Sequence, residues 1–173
     1  VLYMENKKLL IITNPRSGRA KIKNDILKII QIFSDADFDV TVYPTKRSGD
    51  ATVKAQSLNE GEFDRIVVCG GDGTLNCVIN SIPDPDHTFV TYLPAGTSND
   101  FARALHISDL PEDATHTIRR RSEAATDLGV VRCGHKKRKF AVSSGIGYDA
   151  SICEEALRSP AKKVLNRLGL GKL

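Results

Sequence analysis

Short, wholly apolar runs that alternate with helix-length amphipathic segments constrain this chain more than any other feature. Residues 8–13 (Lys-Leu-Leu-Ile-Ile-Thr) and 65–69 (Arg-Ile-Val-Val-Cys) are β-branched and apolar with no polar alternation. That is the pattern of strands covered on both faces. Between them, Ile22, Ile26, Ile29, Ile30 and Phe33 recur on one helical face, while Lys21, Lys23, Asp25 and Lys28 fall on the other. Residues 39–45 read as a strand and 50–58 as an Ala-bearing helix. The pattern continues with a helix over 74–82, a strand over 88–93, a short helix over 99–105 and another near 111–120. A β-α-β-α-β succession of this kind predicts an α/β fold, a parallel sheet with helices on both faces.

After about Ala125 the pattern changes. Residues 128–132 and 139–144 read as two strands joined by a basic loop over 133–138, which predicts an antiparallel hairpin instead of another crossover. The expected organisation is an α/β nucleotide-binding domain over 4–125 and the beginning of a β-rich second domain over 126–173, expected to be incomplete. With 173 residues, 40% hydrophobic and 27% charged, the chain has the make-up of a globular protein with one domain or one and part of another. The only methionine is Met4, so Val1, Leu2 and Tyr3 are left out of the fold argument.

The apolar runs are far shorter than the roughly 20 residues that cross a bilayer. The start does not read as a signal peptide, because Lys7 and Lys8 are followed by only four apolar residues before Thr13, Asn14 and Pro15. A cytoplasmic protein is expected. Cys69, Cys77, Cys133 and Cys153 form no Cys-x-x-Cys pair and the histidines no His-x-x-x-His unit, which argues against zinc. Cys69 and Cys77 read as small hydrophobes.

The chemistry concentrates in loops that follow strands. Gly70-Gly71-Asp72-Gly73-Thr74 stands between the strand ending at Cys69 and a helix. Ligands of open parallel sheets bind at the carboxyl ends of strands, and a helix N-terminus presents free N–H groups to an anion. Three glycines let the backbone approach phosphates closely. Asp72 repels phosphate unless a Mg²⁺ lies between them, held directly or through water. Thr74 is expected to cap the helix and bond a phosphate oxygen, with Asn76 reaching the same ligand.

A second loop opens from Pro94. Its Gly96 and Thr97 would line the nucleotide side, Asn99 or Asp100 would cap the helix, and Arg103 would meet a phosphate or an acidic partner. A third polar turn, Asn14-Pro15-Arg16-Ser17-Gly18, has Arg19 and Lys21 nearby. No P-loop pattern is present. Gly145-x-Gly147-x-x-Ala150 fits the letter of a dinucleotide fingerprint, but it follows a hairpin and lacks the acidic residue about 20 positions later.

Taken in order, Asn14-Pro-x-Ser-Gly18, Gly70-Gly-Asp-Gly-Thr74 with Asn76, Pro94-x-Gly-Thr-x-Asn-Asp-Phe-Ala-Arg103, Asp127-Leu-Gly129 and Gly145-Ile-Gly-Tyr-Asp-Ala150 resemble the diacylglycerol kinase catalytic-domain family. The soluble bacterial lipid kinases look most similar. NAD kinases and 6-phosphofructokinases carry a turn like Gly-Gly-Asp-Gly, but the Asn-Pro-x-Ser-Gly and Asn-Asp-Phe-Ala-Arg segments favour the lipid branch.

The resemblance implies a two-domain enzyme that uses MgATP to phosphorylate a lipid hydroxyl, such as that of diacylglycerol to give phosphatidic acid. By motif match Gly70, Gly71, Asp72, Gly73, Thr74, Leu75, Asn76, Gly96 and Thr97 would hold ATP, with Asn14 and Thr45 near the nucleotide. Asp72 and Asp127 would join a water and Mg²⁺ network, and Arg103 would steady phosphate or order the acidic groups. The family's general base is a glutamate late in the second domain, expected beyond the end of this chain, so the chain alone is expected to turn over poorly.

The runs Arg119-Arg-Arg121 and Lys136-Lys-Arg-Lys139 fit an enzyme working peripherally on an anionic membrane. Nucleic acid is not expected, because the net charge is only +4, Trp is absent and no aromatic residues interleave the basic runs. A homodimer is left open. The alternatives are an NAD kinase-type enzyme and a non-catalytic nucleotide-binding or membrane-docking module.

Overall fold

The fold is described from a computed structural model, which describes residues 7–17, 22–108, 110, 112–113, 115–116 and 124–158. The chain divides into two compact units, Val1–Asp127 and Leu128–Leu173.

The first unit contains β1 (Lys7–Thr13), α1 (Ile22–Ser34), β2 (Phe38–Pro44), α2 (Asp50–Gln56), β3 (Arg65–Gly70), α3 (Asp72–Ile79), β4 (Phe89–Pro94) and α4 (Asp100–Ala104). The four strands form one wholly parallel sheet in the order β2-β1-β3-β4. Leu9, Leu10, Ile11 and Ile12 are all buried, as are Ile66, Val67, Val68 and Cys69, so the unalternated runs are central strands with both faces covered.

On one face Leu9, Ile11, Val67, Cys69 and Leu93 pack with Ile22, Ile29 and Phe33 of α1. The alternate residues Leu10, Ile12, Ile66 and Val68 are buried on the other face. The helices α2 and α3 contact each other and bury Ala51, Ala55, Leu75, Val78 and Ile79. Burying a Leu, Ile or Phe side chain contributes about 1.5–3 kcal/mol, which makes this double-sided packing the main stabilising term of the unit. The Cys69 thiol lies within it, and burial pushes its pKa far up. All four described cysteines are free.

The second unit contains β5 (Gly129–Cys133), β6 (Lys136–Phe140) and α5 (Tyr148–Arg158), with β5 and β6 antiparallel. The basic run expected in the hairpin loop is instead strand. Cys133 pairs with Lys136, so only Gly134 and His135 make the turn. Gly134 has φ 56° and His135 is not left-handed, which fits the type II′ hairpin that takes glycine first. A glycine at that position lets the chain reverse in two residues, and the cations fall into the register beyond it. Because an antiparallel hairpin and not a crossover precedes Gly145, the fingerprint-like spacing there has no βαβ context.

The remaining helix expected near 111–120 is described only at 112–113 and 115–116, where it is helical. Gly18, Arg19, Lys21 and the run 119–121 lie outside the described residues. Among the described residues no helix is long and apolar enough to cross a membrane.

Candidate functional site

The strands β1, β3 and β4 end at the same edge of the sheet, each running into a polar loop. Strand order reverses between β1 and β3, the place where open parallel sheets form a ligand crevice. At the end of β1 the Asn14 N–H donates to the Cys69 carbonyl (2.8 Å), and Asn14 Oδ1 accepts from the Arg16 N–H (3.1 Å). The result is the side-chain-closed turn that an Asn-Pro step favours. Thr45 donates through its N–H (2.8 Å) and its Oγ1 (3.2 Å) to the Thr13 carbonyl, so its hydroxyl fastens the end of β2 to β1.

Thr13, which the sequence analysis did not single out, buries its Oγ1 without a hydrogen-bond partner. A buried hydroxyl in that state costs roughly 1–3 kcal/mol, and it stands at the carboxyl edge where the crevice forms. The one signal for it in the sequence is a polar residue closing an otherwise apolar strand.

After β3, Gly71 is the extended N-cap of α3, and its carbonyl accepts from the N–H groups of Thr74 (2.9 Å) and Leu75 (3.2 Å). The helix therefore starts at Asp72, ahead of the expected 74, and Thr74 lies inside the first turn instead of capping it. The reason is steric: the Thr74 side chain packs under Gly70, where an added Cβ would lie 2.8 Å from Thr74 Oγ1. Leu75, expected among the nucleotide contacts, is a core side chain only 3% exposed. Asn76 Oδ1 accepts from Asn80 Nδ2 at 3.0 Å along the helix. Gly73 is exposed on the first turn, with no atom near the position of a Cβ.

The loop after β4 is locked onto this one. The Ala95 N–H donates to the Gly70 carbonyl at 2.8 Å. A Cβ on Gly96 would come within 2.5 Å of Gly71 Cα, so the two loops meet glycine to glycine. Asn99, expected as a possible cap, adopts the left-handed conformation (φ 50°) and turns its side chain back into its own loop. There its Oδ1 accepts from the Gly96 N–H (2.8 Å) and the Tyr92 hydroxyl (3.2 Å).

The cap of α4 comes from the other loop. Asp72 Oδ2 accepts from the Asp100 N–H (3.0 Å) and Asp72 Oδ1 from the Phe101 N–H (3.1 Å). These are charge-assisted bonds at the positive end of a helix. Arg103 pairs with Asp100 one turn along. The ring of Phe101 meets that of Tyr92 edge-on, with centroids 5.8 Å apart.

The structure thus brings Gly70, Gly71, Asp72, Thr74, Gly96, Asn99, Asp100 and Arg103 into one assembly, with exposed Thr97 and Ser98 on its rim. Asn14 and Thr45 stand at neighbouring strand ends. Asp127 is exposed in the stretch before β5, and no hydrogen bond ties it to Asp72 among the described residues. Those residues also contain no group of three His, Cys, Asp or Glu side chains placed to hold a metal ion.

The loop between β2 and α2 is held by Asp50, whose Oδ2 accepts from the N–H groups of Lys46 (2.8 Å) and Arg47 (3.1 Å). These backbone bonds, the one from Lys46 foremost, hold its carboxyl pKa below the usual aspartate value of 3.8. A depressed carboxylate stabilises the fold above its unfolded pKa, and that contribution disappears as pH falls through the folded value. The Lys46 and Arg47 amide proton shifts should therefore titrate together below pH 3.8, and Asp50→Asn should abolish the titration. NMR titration would reveal it.

The family model of the diacylglycerol kinase catalytic domain matches residues 8–131. The chain belongs to that family. A diacylglycerol kinase of Staphylococcus carnosus is 36% identical over 113 residues, which is 65% of this chain and 36% of that protein. One from Bacillus subtilis is 41% identical over 102 residues, covering 58% of this chain and 34% of that protein. A solved structure of a diacylglycerol kinase from Bacillus anthracis superposes with a TM-score of 0.62 at 32% identity, covering 71% of this chain and 42% of that one. The matched part is therefore well under half the length of each of these diacylglycerol kinases. Within the family match lie both interlocked loops, and the match ends inside the first strand of the second unit.

Proposed function

We propose that this chain supplies the nucleotide-binding part of an ATP-dependent lipid kinase, which transfers the γ-phosphate of MgATP to a lipid hydroxyl, most directly that of diacylglycerol. Gly73 carries this reading. Gly70 is glycine because of the Thr74 side chain, and Gly71 and Gly96 are glycine because their backbones touch. Gly73 has no such reason: it is helical, and open space surrounds the position of a Cβ. Glycine is a poorer helix former than alanine even in the first turn, so the fold gives up a little stability to keep this position bare. Close approach of a phosphate to the first turn of α3 accounts for it.

The first turns of α3 and the rim of Gly96 and Thr97 would bind and orient the triphosphate, with Asn14 and Thr45 near the rest of the nucleotide. Each Asp72 oxygen keeps a lone pair beyond its bond to α4, so the carboxylate fits a water-mediated contact to an ion arriving with the phosphates. Asp127 is assigned to the same network, and Arg103 to ordering the acidic group at Asp100. Mg²⁺ would neutralise charge on the phosphates. Phosphoryl transfer depends chiefly on positioning and charge neutralisation, and the acceptor proton must pass to a base for which no residue of this chain is assigned. The lipid acceptor places the working enzyme at a membrane surface.

Gly73→Ala is expected to raise thermal stability slightly while weakening MgATP binding at least tenfold by calorimetry. Unchanged binding in the stabilised variant would reduce the glycine loop to a structural turn. With the full-length protein, label from ATP should reach diacylglycerol; phosphorylation of NAD without lipid would overturn the lipid assignment.

A further inference from the structure

The loop between β4 and α4 turns most of its polar groups inward, and the residue responsible is strained. Asn99 has left-handed backbone (φ 50°), which costs stability wherever the residue is not glycine. It occupies the N-cap of α4 yet makes no cap bond, because Asp72 already serves that helix. Its amide closes on Gly96 instead. Oδ1 accepts from the Gly96 N–H (2.8 Å) and Nδ2 donates to the Gly96 carbonyl (3.2 Å). One side chain thereby fixes both peptide planes that flank Gly96, and the second of these carries the Thr97 N–H.

Tyr92 completes the arrangement from β4. Its hydroxyl meets the same Oδ1 at 3.2 Å, and the residue is only 4% exposed. The Gly96 N–H can only donate, so the atom it meets is the amide oxygen, and the phenol must donate to that oxygen as well. The edge-on contact with Phe101 holds the ring in place. Phenylalanine at this position would make the same ring contact but would lack the bond to Asn99. Asn99 is buried too, and the side chains that this loop leaves exposed are those of Thr97 and Ser98. A ligand at the rim therefore meets Thr97 and Ser98, while the orientation of the chain that carries them is set from below.

We propose that Tyr92 is a positioning residue for the nucleotide: acting through Asn99, its hydroxyl holds the peptide between Gly96 and Thr97 in the orientation that meets the triphosphate. This rests on the nucleotide reading of the loops given above. Without the hydroxyl, a strained asparagine loses one of the bonds that hold it. The loop then spreads over more than one orientation, and the apparent affinity falls with the fraction that remains competent.

The test is calorimetric titration of the 173-residue chain with MgATP, using Tyr92→Phe, Asn99→Gly and the double variant, with circular dichroism melts alongside. Tyr92→Phe should bind about three- to tenfold more weakly, the size of one net hydrogen bond, in a protein that still melts cooperatively. Asn99→Gly suits the left-handed backbone while removing the amide, and it should lose about tenfold or more. The double variant should bind no worse than Asn99→Gly, because the hydroxyl acts only through that side chain. A tyrosine that merely stabilised the core would give additive losses. A second readout needs only the single variant: in Tyr92→Phe the Gly96 and Thr97 amide resonances should shift, and those of Lys46 and Arg47 should not.

Tyr92→Phe that binds MgATP like the parent, additive losses in the double variant, or unmoved Gly96 and Thr97 resonances would each overturn the proposal and leave the nucleotide reading standing. A parent chain that binds no MgATP would overturn the nucleotide reading and, with it, this role for Tyr92.

Discussion

A Gly96→Ala variant is expected to lose MgATP binding and a substantial part of the stability of the α/β unit together. The added methyl would lie 2.5 Å from Gly71 Cα and 2.8 Å from Asn99 Oδ1. Neither neighbour can yield cheaply. Gly71 is backbone, fixed as the N-cap of α3, and Asn99 is held by Gly96 and Tyr92. Overpacking of this kind costs about 1–3 kcal/mol even where side chains can rearrange, and here the chain itself must move. Separating the loops also displaces the first turn of α3, so calorimetry should show no MgATP binding under conditions where the parent saturates. Circular dichroism melts should show a clearly lowered midpoint. The contrast with Gly73→Ala, which is expected to weaken binding in a more stable protein, separates a glycine that joins two loops from one that leaves room for a ligand. A Gly96→Ala protein that melts and binds like the parent would refute the interlock.

The second large effect belongs to Asp72. Asp72→Ala removes both acceptors at the N-terminus of α4, and loss of a cap typically costs about 0.5–2 kcal/mol. The Phe101 N–H, half-buried, loses its partner, and the loop with Gly96 and Thr97 loses its tie to α3. Weakened MgATP binding is expected, but a metal role and a capping role both predict it. Asp72→Asn distinguishes them, because the amide keeps one acceptor for α4 while losing the negative charge. That variant gives up one of the two acceptor bonds, so it should melt below the parent but above Asp72→Ala. Its MgATP binding should nevertheless fall at least tenfold. If Asp72→Asn binds MgATP normally, the carboxylate serves the fold and has no part in the metal network.

The sheet was legible in the sequence because both of its central strands carry an unbroken apolar run, Leu9 to Ile12 and Ile66 to Cys69, a pattern that only double-sided burial rewards. Ile22, Ile29 and Phe33 of α1 turned out to face the core as their spacing implied. Element ends were less legible. The helix after β3 begins at Asp72 because packing between Gly70 and Thr74 sets its start, and no local preference of threonine reveals that. The run Lys136 to Lys139 looked like a loop because charge and strand seldom coincide. The two-residue turn that moves it into β6 depends on the left-handed Gly134.

At the candidate site the residue types were readable but their partners were not. Asp72 bonds to backbone 28 and 29 positions away, which only the meeting of two loops can produce. Tyr92, which steadies Asn99, carries no local mark at all.

The contacts joining those loops also bear on motion. Ala95 to Gly70, Asp72 to Asp100 and Phe101, and Gly96 against Gly71 tie both turns directly to β3 and β4. Their amides should therefore exchange with deuterium only through openings that also disrupt the sheet, unlike the loops of a site that closes around its ligand. A phosphate arriving there would meet a surface already ordered, so little conformational entropy would be lost on association. The ordering cost of association at this end of the molecule would then be small, and any motion that binding induces would arise elsewhere in the protein.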